Sequence, residues 1–178
     1  DGPRLLAGAR AHHGVRLVPV PTDYVFSGEA REPPYPENHP TAPRPAYGRT
    51  KLAGERAVLE SLPEASAVLR TAWLYGAHGR SFVRTMIELE ARRDTLDVVD
   101  DQRGQPTWSA DVAERIADLG PRLGREADAH GVFHATSSGE ASWYELAQEV
   151  FRLLGADPDR VRPTTSGAFV RPAPRPEY

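Results

Sequence analysis

Val15-Arg-Leu-Val-Pro-Val20, followed at once by Pro21-Thr-Asp-Tyr-Val-Phe26, is the stretch that decides the fold of this 178-residue chain. The first run is short, apolar and rich in β-branched residues, which is typical of a strand buried on both faces of a sheet. The polar pair Thr22-Asp23 then stands where the strand ends, and open α/β sheets bind their ligands at the carboxyl ends of parallel strands. The same pair would serve equally as a polar turn that closes the strand.

A helical pattern precedes this strand. Leu5, Leu6 and Ala9 fall at the apolar spacing of a helix over 1–13, and Gly14 ends it. A helix followed by a buried strand indicates an α/β sheet.

Helical and strand patterns continue to alternate after residue 26. The predicted helices cover 47–62, 81–93, 109–119 and 142–154, and the predicted strands cover 66–71, 95–99 and 131–135. The irregular segments are a long proline-rich loop over 27–45, a polar turn over 100–107 and a tail from Arg162. Ser109 is predicted to cap one helix, and Ser142 with Glu145 forms a capping box for another. The alternation favours a parallel sheet covered by helices.

Tyr47-Gly-Arg-Thr-Lys51 lies at the start of a predicted helix and is the strongest candidate for chemistry. Residues four apart lie on one helix face, so the phenol and the amine are neighbours. A phenol has an ordinary pKa of about 10, and a nearby ammonium lowers it, which suits a general acid or base. The alternative is an ordinary surface pair. Lys51 is the only lysine among 22 basic residues, which favours a site that needs a compact ammonium.

Composition excludes several classes of function. A net charge of −3 provides no basic surface for nucleic acid. No apolar run approaches 18 residues, so no membrane-spanning helix is expected. The absence of cysteine excludes disulfides and fits a cytoplasmic protein.

In order along the chain, these motifs resemble the extended short-chain dehydrogenase/reductases, and among them the dTDP-4-dehydrorhamnose reductase family. The matching segments are Thr22-Asp-Tyr-Val-Phe-x-Gly28, Pro34-Tyr-x-Glu37, Pro45-x-Tyr-Gly-x-x-Lys-Leu-Ala-Gly-Glu55, Leu69-Arg-Thr-x-Trp-x-Tyr-Gly76, Asp101-Gln-x-Gly-x-Pro-Thr107 and Arg171-Pro172. Pro21 departs from the pattern, because the family usually has Ser there. No Glu follows Thr22, which argues against the dehydratases of the same superfamily.

The resemblance implies hydride transfer from NADPH or NADH to the C4 carbonyl of dTDP-4-dehydro-L-rhamnose. It assigns Tyr47 as the proton donor, Lys51 as its activator and a ligand of the nicotinamide ribose, and Thr22 as a hydroxyl that tunes proton transfer. Asp23 would accept a hydrogen bond from the sugar, and Trp73 would stack on it; the alternative for Trp73 is a core tryptophan. Another sugar-nucleotide 4-ketoreductase, or a non-catalytic binding or regulatory relative, stays open.

The resemblance also implies a Rossmann-type doubly wound parallel sheet with a smaller substrate-binding domain. We expect residues 1–75 to form the second half of the NAD(P)-binding domain. We expect residues 76–178 to be mainly substrate-binding, with segments that return to the sheet. The glycine-rich turn that holds a dinucleotide pyrophosphate is not in this sequence. We therefore expect about a hundred further residues in front and a further helix behind, as the family pattern has them.

The remaining polar and aromatic residues have more ordinary interpretations. Trp108 and Trp143 are interpreted as packing residues, and Arg70 is expected to pair with a carboxylate inside the sheet. The histidines show no ligand spacing, and His12-His13 reads as a solvated helix end. Some relatives bind Mg²⁺ at a dimer contact, so the resemblance allows a homodimer and Mg²⁺, although no ligand cluster in the sequence requires the ion.

Overall fold

The computed structural model describes residues 2–11, 13–29 and 34–169. Within these ranges the α-helices are α1 (Gly2–Ala11), α2 (Ala46–Ser61), α3 (Phe82–Glu90), α4 (Ser109–Leu119) and α5 (Trp143–Leu153). The strands are β1 (Ala67–Arg70), β2 (Leu74–Tyr75), β3 (Leu96–Val99), β4 (Arg103–Gly104), β5 (Thr107–Trp108), β6 (Gly131–His134), β7 (Ala141–Ser142) and β8 (Val161–Thr164). The predicted α/β class and the predicted long helices are confirmed.

The main sheet is parallel and has β1 at its centre. β1 pairs with β6 from Ala67 opposite Gly131 to Arg70 opposite His134. On the other side of β1, Leu17 donates its N–H to the carbonyl of Ala65 at 3.1 Å and forms a parallel bridge to Ser66. All four residues of β1 are buried, as a strand with a neighbour on each side should be.

The prediction that segment 15–20 is buried on both faces is wrong. Val15 is 57% exposed, and residues 17–20 are only half-buried. The reason is that β1 is the only strand that borders this segment among the described residues. An apolar run predicts a strand, but its burial depends on its neighbours.

The prediction that Leu5, Leu6 and Ala9 form the packed face of α1 is also wrong. Leu5 and Leu6 are 67% and 61% exposed, and the fully buried residue is Ala7. Ala7 packs against Val58 of α2 and Leu62, because a small side chain lets the two helices approach closely.

A second group of packed elements lies in the second half of the chain. α3, β3, α5 and β8 enclose a second core. Its buried residues are Met86, Val98, Ala147, Val150, Phe151 and Val161. β3 and β8 run parallel, with Val98 opposite Pro163. The predicted irregular tail therefore begins with a strand, and Pro163 is tolerated because β3 is the only described strand that pairs with β8.

Two local predictions need correction and one is confirmed. Segment 100–107, expected as a turn, contains β4 and the first residue of β5. Ser109 is the first residue of α4 rather than its cap, because β5 runs directly into the helix and places Trp108 at the cap position without a side-chain bond. The capping box is present: the hydroxyl of Ser142 accepts from the N–H of Glu145 at 3.1 Å, and Glu145 accepts from the N–H of Ser142 at 2.7 Å.

Candidate active site

Thr22 and Asp23 lie at the carboxyl end of the main sheet. A single 3₁₀ turn over Asp23–Val25 follows Thr22, whose hydroxyl accepts a hydrogen bond from the N–H of Tyr24 at 3.3 Å. The N–H of Asp23 donates to the carbonyl of Thr71 at 3.1 Å, directly after β1. The turn is thereby held against the end of the central strand, where the sequence pattern predicted a ligand site.

Gly48 explains how α2 approaches this turn. A β-carbon at position 48 would lie 2.1 Å from the carbonyl oxygen of Tyr24 and 2.9 Å from the β-carbon of Pro43. Only glycine allows the first turn of α2 to contact the backbone so closely. As a result the ring of Tyr47 meets the ring of Tyr24 edge-on, with centroids 5.7 Å apart.

Tyr47 and Lys51 lie together on the exposed side of α2. The Nζ atom of Lys51 is 5.5 Å from the centroid of the Tyr47 ring, and Tyr47 is 51% exposed. The predicted shared face is therefore present, with the amine over the ring. The activation of the phenol by Lys51 stays a prediction.

A cleft of about 770 Å³ opens in front of Tyr47. Its polar lining includes Thr22, Asp23, Tyr47 and Asp97, and Trp73 also lines it. Apolar side chains also line the cleft, namely Phe82, Met86, Leu89, Val98, Trp143 and Phe169. Four of the five predicted site residues line one cleft, and Lys51 stands beside it next to Tyr47. A cleft of this size with a few convergent polar groups is what a small-molecule site requires.

Trp73 holds an unusual conformation within the cleft. Its φ is +44°, in the left-handed region that favours glycine. Its ring stacks on Trp143 with centroids 3.5 Å apart, and a β-carbon at Gly104 would lie 2.5 Å from it. The close packing of these neighbours offsets the backbone strain.

The role of Trp143 was missed by the sequence reasoning, which treated it only as packing. Trp143 does contact Phe82, with centroids 4.5 Å apart, but it also covers one face of Trp73 and lines the cleft. No local signal in the sequence could have found this role, because the contact joins residues 70 positions apart. Stacking of Trp73 on a sugar stays a prediction.

The surroundings of Asp23 in the cleft change the pKa of its carboxyl group. Burial raises its pKa from 3.8 to about 6, against the opposing effect of a hydrogen bond from Thr22. The hydroxyl of Thr22 donates that bond to Oδ1 of Asp23 at 2.9 Å.

A second, much smaller space lies behind Asp23, and we call it the rear chamber. It measures about 50 Å³ and is lined in part by Asp23, Arg70, Thr71, Gln105 and His134. Two of these residues carry buried atoms, the Thr71 hydroxyl and Nε2 of His134, that have no hydrogen-bond partner among the described residues. Burial lowers the pKa of His134.

Arg70 has the carboxylate partner that the sequence predicted. Its Nη2 donates to Oε2 of Glu55 at 2.8 Å, and its Nε donates to both oxygens of that carboxylate at 3.2 Å. The two side chains are 7% and 2% exposed. Arg70 also donates to the carbonyl of Glu37 at 3.2 Å and faces the ring of Phe26.

No group of three or more His, Asp or Glu side chains lies close enough together to hold a metal ion within the described ranges. The Mg²⁺ suggested by the resemblance stays a prediction. His12 and the Arg171-Pro172 motif lie outside the described residues. No described helix combines the length and apolar character needed to cross a bilayer.

The chain is similar to known proteins along its whole length. The family model described as the RmlD substrate binding domain matches residues 1–178. A probable dTDP-4,6-dihydroxy-2-methyloxan-3-one 4-ketoreductase of Streptomyces antibioticus is 65% identical over 100% of this chain and 59% of its own length. The dTDP-4-dehydrorhamnose reductase of Streptomyces griseus is 57% identical over 100% of this chain and 58% of its own length.

The fold has a match among solved structures as well. The dTDP-4-dehydrorhamnose reductase of Bacillus anthracis, solved in complex with NADP, superposes with a TM-score of 0.91 at 38% identity, over 99% of this chain and 60% of that one. The chain therefore spans about three fifths of the length of the relatives it matches. The Rossmann-type architecture expected from the sequence is confirmed.

Proposed function

The chain belongs to the RmlD substrate binding domain family, and from that premise we propose that it supplies the proton donor and sugar cleft of an NAD(P)H-dependent reductase. The reaction is reduction of the C4 carbonyl of dTDP-4-dehydro-L-rhamnose to dTDP-L-rhamnose. The observation that carries the proposal is one cleft lined by Thr22, Asp23, Tyr47 and Trp73.

Thr22, Asp23, Tyr47 and Trp73 each have a role in this reaction. Tyr47 protonates the oxygen at C4 as negative charge develops on it, which is general acid catalysis. Thr22 bonds the same oxygen and keeps it in line with the phenol. Asp23 accepts a hydrogen bond from a sugar hydroxyl. The apolar C–H face of a deoxysugar suits Trp73 and the apolar side chains that line the cleft.

The groups on α2 fit one part of the cofactor. Lys51 and the hydroxyl of the half-exposed Tyr47 are neighbouring donors that suit the ribose hydroxyls of NADPH or NADH. When bound, the reduced nicotinamide supplies the hydride. Lys51 orients that ribose and favours the loss of the phenolic proton during transfer.

The same proposal assigns a role to each of the two parts of the chain. Residues 1–75 carry the second half of the cofactor-binding domain, and residues 76–178 mainly bind substrate. The parallel pairing of β6 with β1 supports a segment of the second region that returns to the sheet. We place the complete protein in the cytoplasm, and a homodimer stays a prediction.

A second sugar substrate deserves equal testing. The relative at 65% identity is named for reduction of dTDP-4,6-dihydroxy-2-methyloxan-3-one. The residues of α3 and β3 that line the cleft are apolar except for Asp97, so this side of the cleft would accept a sugar with fewer hydroxyl groups as readily as rhamnose.

Tyr47→Phe in the complete gene product tests the proposal. We expect reduction of either ketosugar, followed by the loss of NADPH absorbance, to fall by about 10²–10⁴-fold because the proton donor is gone. Tyr75→Phe is the matched control, since Tyr75 packs on Trp108 away from the cleft lining, and it should keep the wild-type rate. A Tyr47→Phe rate equal to wild type removes the phenol from the mechanism. Sugar-nucleotide binding by wild-type protein without reduction supports the non-catalytic alternative.

Lys51→Arg tests whether the compact ammonium is required. The planar guanidinium keeps the charge but places its donors differently, so we expect most activity to be lost. A rate within a few-fold of wild type would show that charge alone is sufficient.

A further inference from the structure

The rear chamber behind Asp23 has no part in the reaction described above, yet polar residues line it beside the apolar Phe26, Pro34 and Ala72. A buried water needs about 10–15 Å³ of such space and two to four polar partners. The chamber offers about 50 Å³, and its lining includes Asp23 together with Thr71 and His134, whose hydroxyl and Nε2 have no hydrogen-bond partner among the described residues. Thr71 is 5% exposed, so bulk solvent does not satisfy its hydroxyl. Water fits because it can donate or accept, whichever tautomer His134 holds.

Asp23 faces both spaces, since it lines the rear chamber and the cleft. Its ionised carboxylate can only accept hydrogen bonds, and the Thr22 hydroxyl now donates to it at 2.9 Å. Thr22 also accepts from the N–H of Tyr24. In this arrangement the hydroxyl proton of Thr22 points at Asp23 and cannot be offered to a substrate oxygen. A protonated Asp23 would donate to Thr22 instead and free the Thr22 proton for the cleft.

We propose that Asp23 is a proton switch for the cleft: it exchanges its proton with His134 through water held in the rear chamber, and its protonation turns the Thr22 hydroxyl toward the substrate. The proposal rests on the proposed reduction for its effect on rate, but the exchange itself does not. Asp23 acts through Thr22 and is a positioning residue in this role.

The exchange balances without any outside reagent. Asp23 gives its proton to the bridging water, and the water gives one of its own to Nε2 of His134 in the tautomer protonated on Nδ1. The products are a carboxylate and an imidazolium, and the net charge does not change. The raised pKa of Asp23 and the lowered pKa of His134 bring the two groups toward each other in affinity for the proton.

Other charged and titratable groups surround this pair. Arg70 faces the chamber and opposes protonation of His134, while Glu37 accepts the backbone N–H of His134 at 2.9 Å and favours it. The remaining groups on the packed elements are Glu55, Tyr24, Tyr35, His39, Tyr47 and Lys51.

Nuclear magnetic resonance of the His134 ring nitrogens tests the exchange in the complete gene product without substrate. The His134 signals are assigned by their loss in His134→Gln. We expect the wild-type titration to contain a second inflection near the pH at which Asp23 ionises, and Asp23→Asn to remove it. His13→Gln is the control and should leave the His134 titration unchanged, because His13 is exposed and far along the chain from the chamber. A His134 curve unchanged by Asp23→Asn overturns the proposal.

Single-turnover rates of ketosugar reduction from pH 5 to 8 test the effect on Thr22. Asn mimics protonated Asp23 because it donates from its amide at every pH. We expect the wild-type rate to fall about tenfold per pH unit once Asp23 is ionised, and the Asp23→Asn rate to stay within about twofold across the range. Coincident pH profiles for the two proteins overturn the switch. Absence of reduction by wild-type protein overturns the proposed function instead, and the resonance titration then decides the exchange by itself.

Discussion

At the scale of single residues, the ionised carboxylate of Asp23 on the cleft wall lowers the stability of the fold. Burial raises its pKa from 3.8 to about 6, so folding favours its neutral form. The resulting stabilisation is complete below pH 4 and is lost as the pH rises through 6. A difference of two pKa units corresponds to about 3 kcal/mol. A carboxyl kept at such a cost on a cleft wall is a candidate functional group.

Asp23→Asn should therefore stabilise the protein at alkaline pH. The amide stays neutral, so at pH 8 we expect unfolding to require about 1–3 kcal/mol more than in wild type, with no such gain at pH 4. Urea unfolding at both values measures this. The control is Asp97→Asn, because Asp97 lines the same cleft but is exposed. Lower stability of Asp23→Asn at pH 8 would show that the Thr22 bond outweighs the burial of charge.

At the scale of elements, the position of α2 depends on Gly48. Its missing β-carbon lets the helix contact the Tyr24 carbonyl, and this contact places Tyr47 at the cleft. Neither the carbonyl oxygen nor the adjoining 3₁₀ turn can yield easily, because the turn is bonded to Thr71.

Gly48→Ala should move α2 and lower stability by about 1–3 kcal/mol through overpacking. It should also reduce the rate of ketosugar reduction, because Tyr47 moves with the helix. The matched control is Gly8→Ala in α1, where a β-carbon meets nothing within 4 Å. That change should stabilise by about 0.5–1 kcal/mol. Urea unfolding and turnover compare the two variants, and equal effects would mean that the close contact is unimportant.

The elements also show which parts of the fold were predictable. Helices of nine residues or more repeat their apolar spacing often enough to be recognised, and the Ser142 capping box marked one start correctly. The two-residue strands β4 and β5 have too few residues to show a period. β8 contains Pro163 and was predicted as coil, because edge pairing is decided by β3 rather than by local sequence.

The candidate site was predictable to the extent that it depends on spacing within one segment. Tyr47 and Lys51 share a helix face, and Thr22-Asp23 ends a strand, so a linear pattern is sufficient for both. The stacking of Trp73 on Trp143 joins residues 70 positions apart. The rear chamber is likewise a product of packing, and a single sequence contains no signal for either.

At the scale of the whole molecule, the Arg70–Glu55 pair connects the sheet, α2 and the loop that contains Glu37. Arg70 bonds the carboxylate of Glu55 and the carbonyl of Glu37, and Glu37 in turn accepts from the backbone of His134 in β6. One buried guanidinium thus connects the loop, helix α2 and the main sheet. A buried charge left without its partner is far more costly than a pair replaced by apolar groups.

Glu55→Leu should therefore destabilise the protein by about 3–5 kcal/mol, because it leaves Arg70 charged and buried. The double variant Glu55→Leu with Arg70→Met should be more stable than Glu55→Leu alone, since no unpaired charge remains. Glu88→Gln, which removes an exposed i,i+4 pair with Arg84, should change stability by less than about 0.5 kcal/mol. Urea unfolding of the four proteins at pH 7 makes the comparison. If the double variant were less stable than Glu55→Leu, the hydrogen bond of Arg70 to Glu37 and its contact with Phe26 would contribute more to stability than its ion pair with Glu55. Arg70 would then stabilise mainly the loop and not the helix.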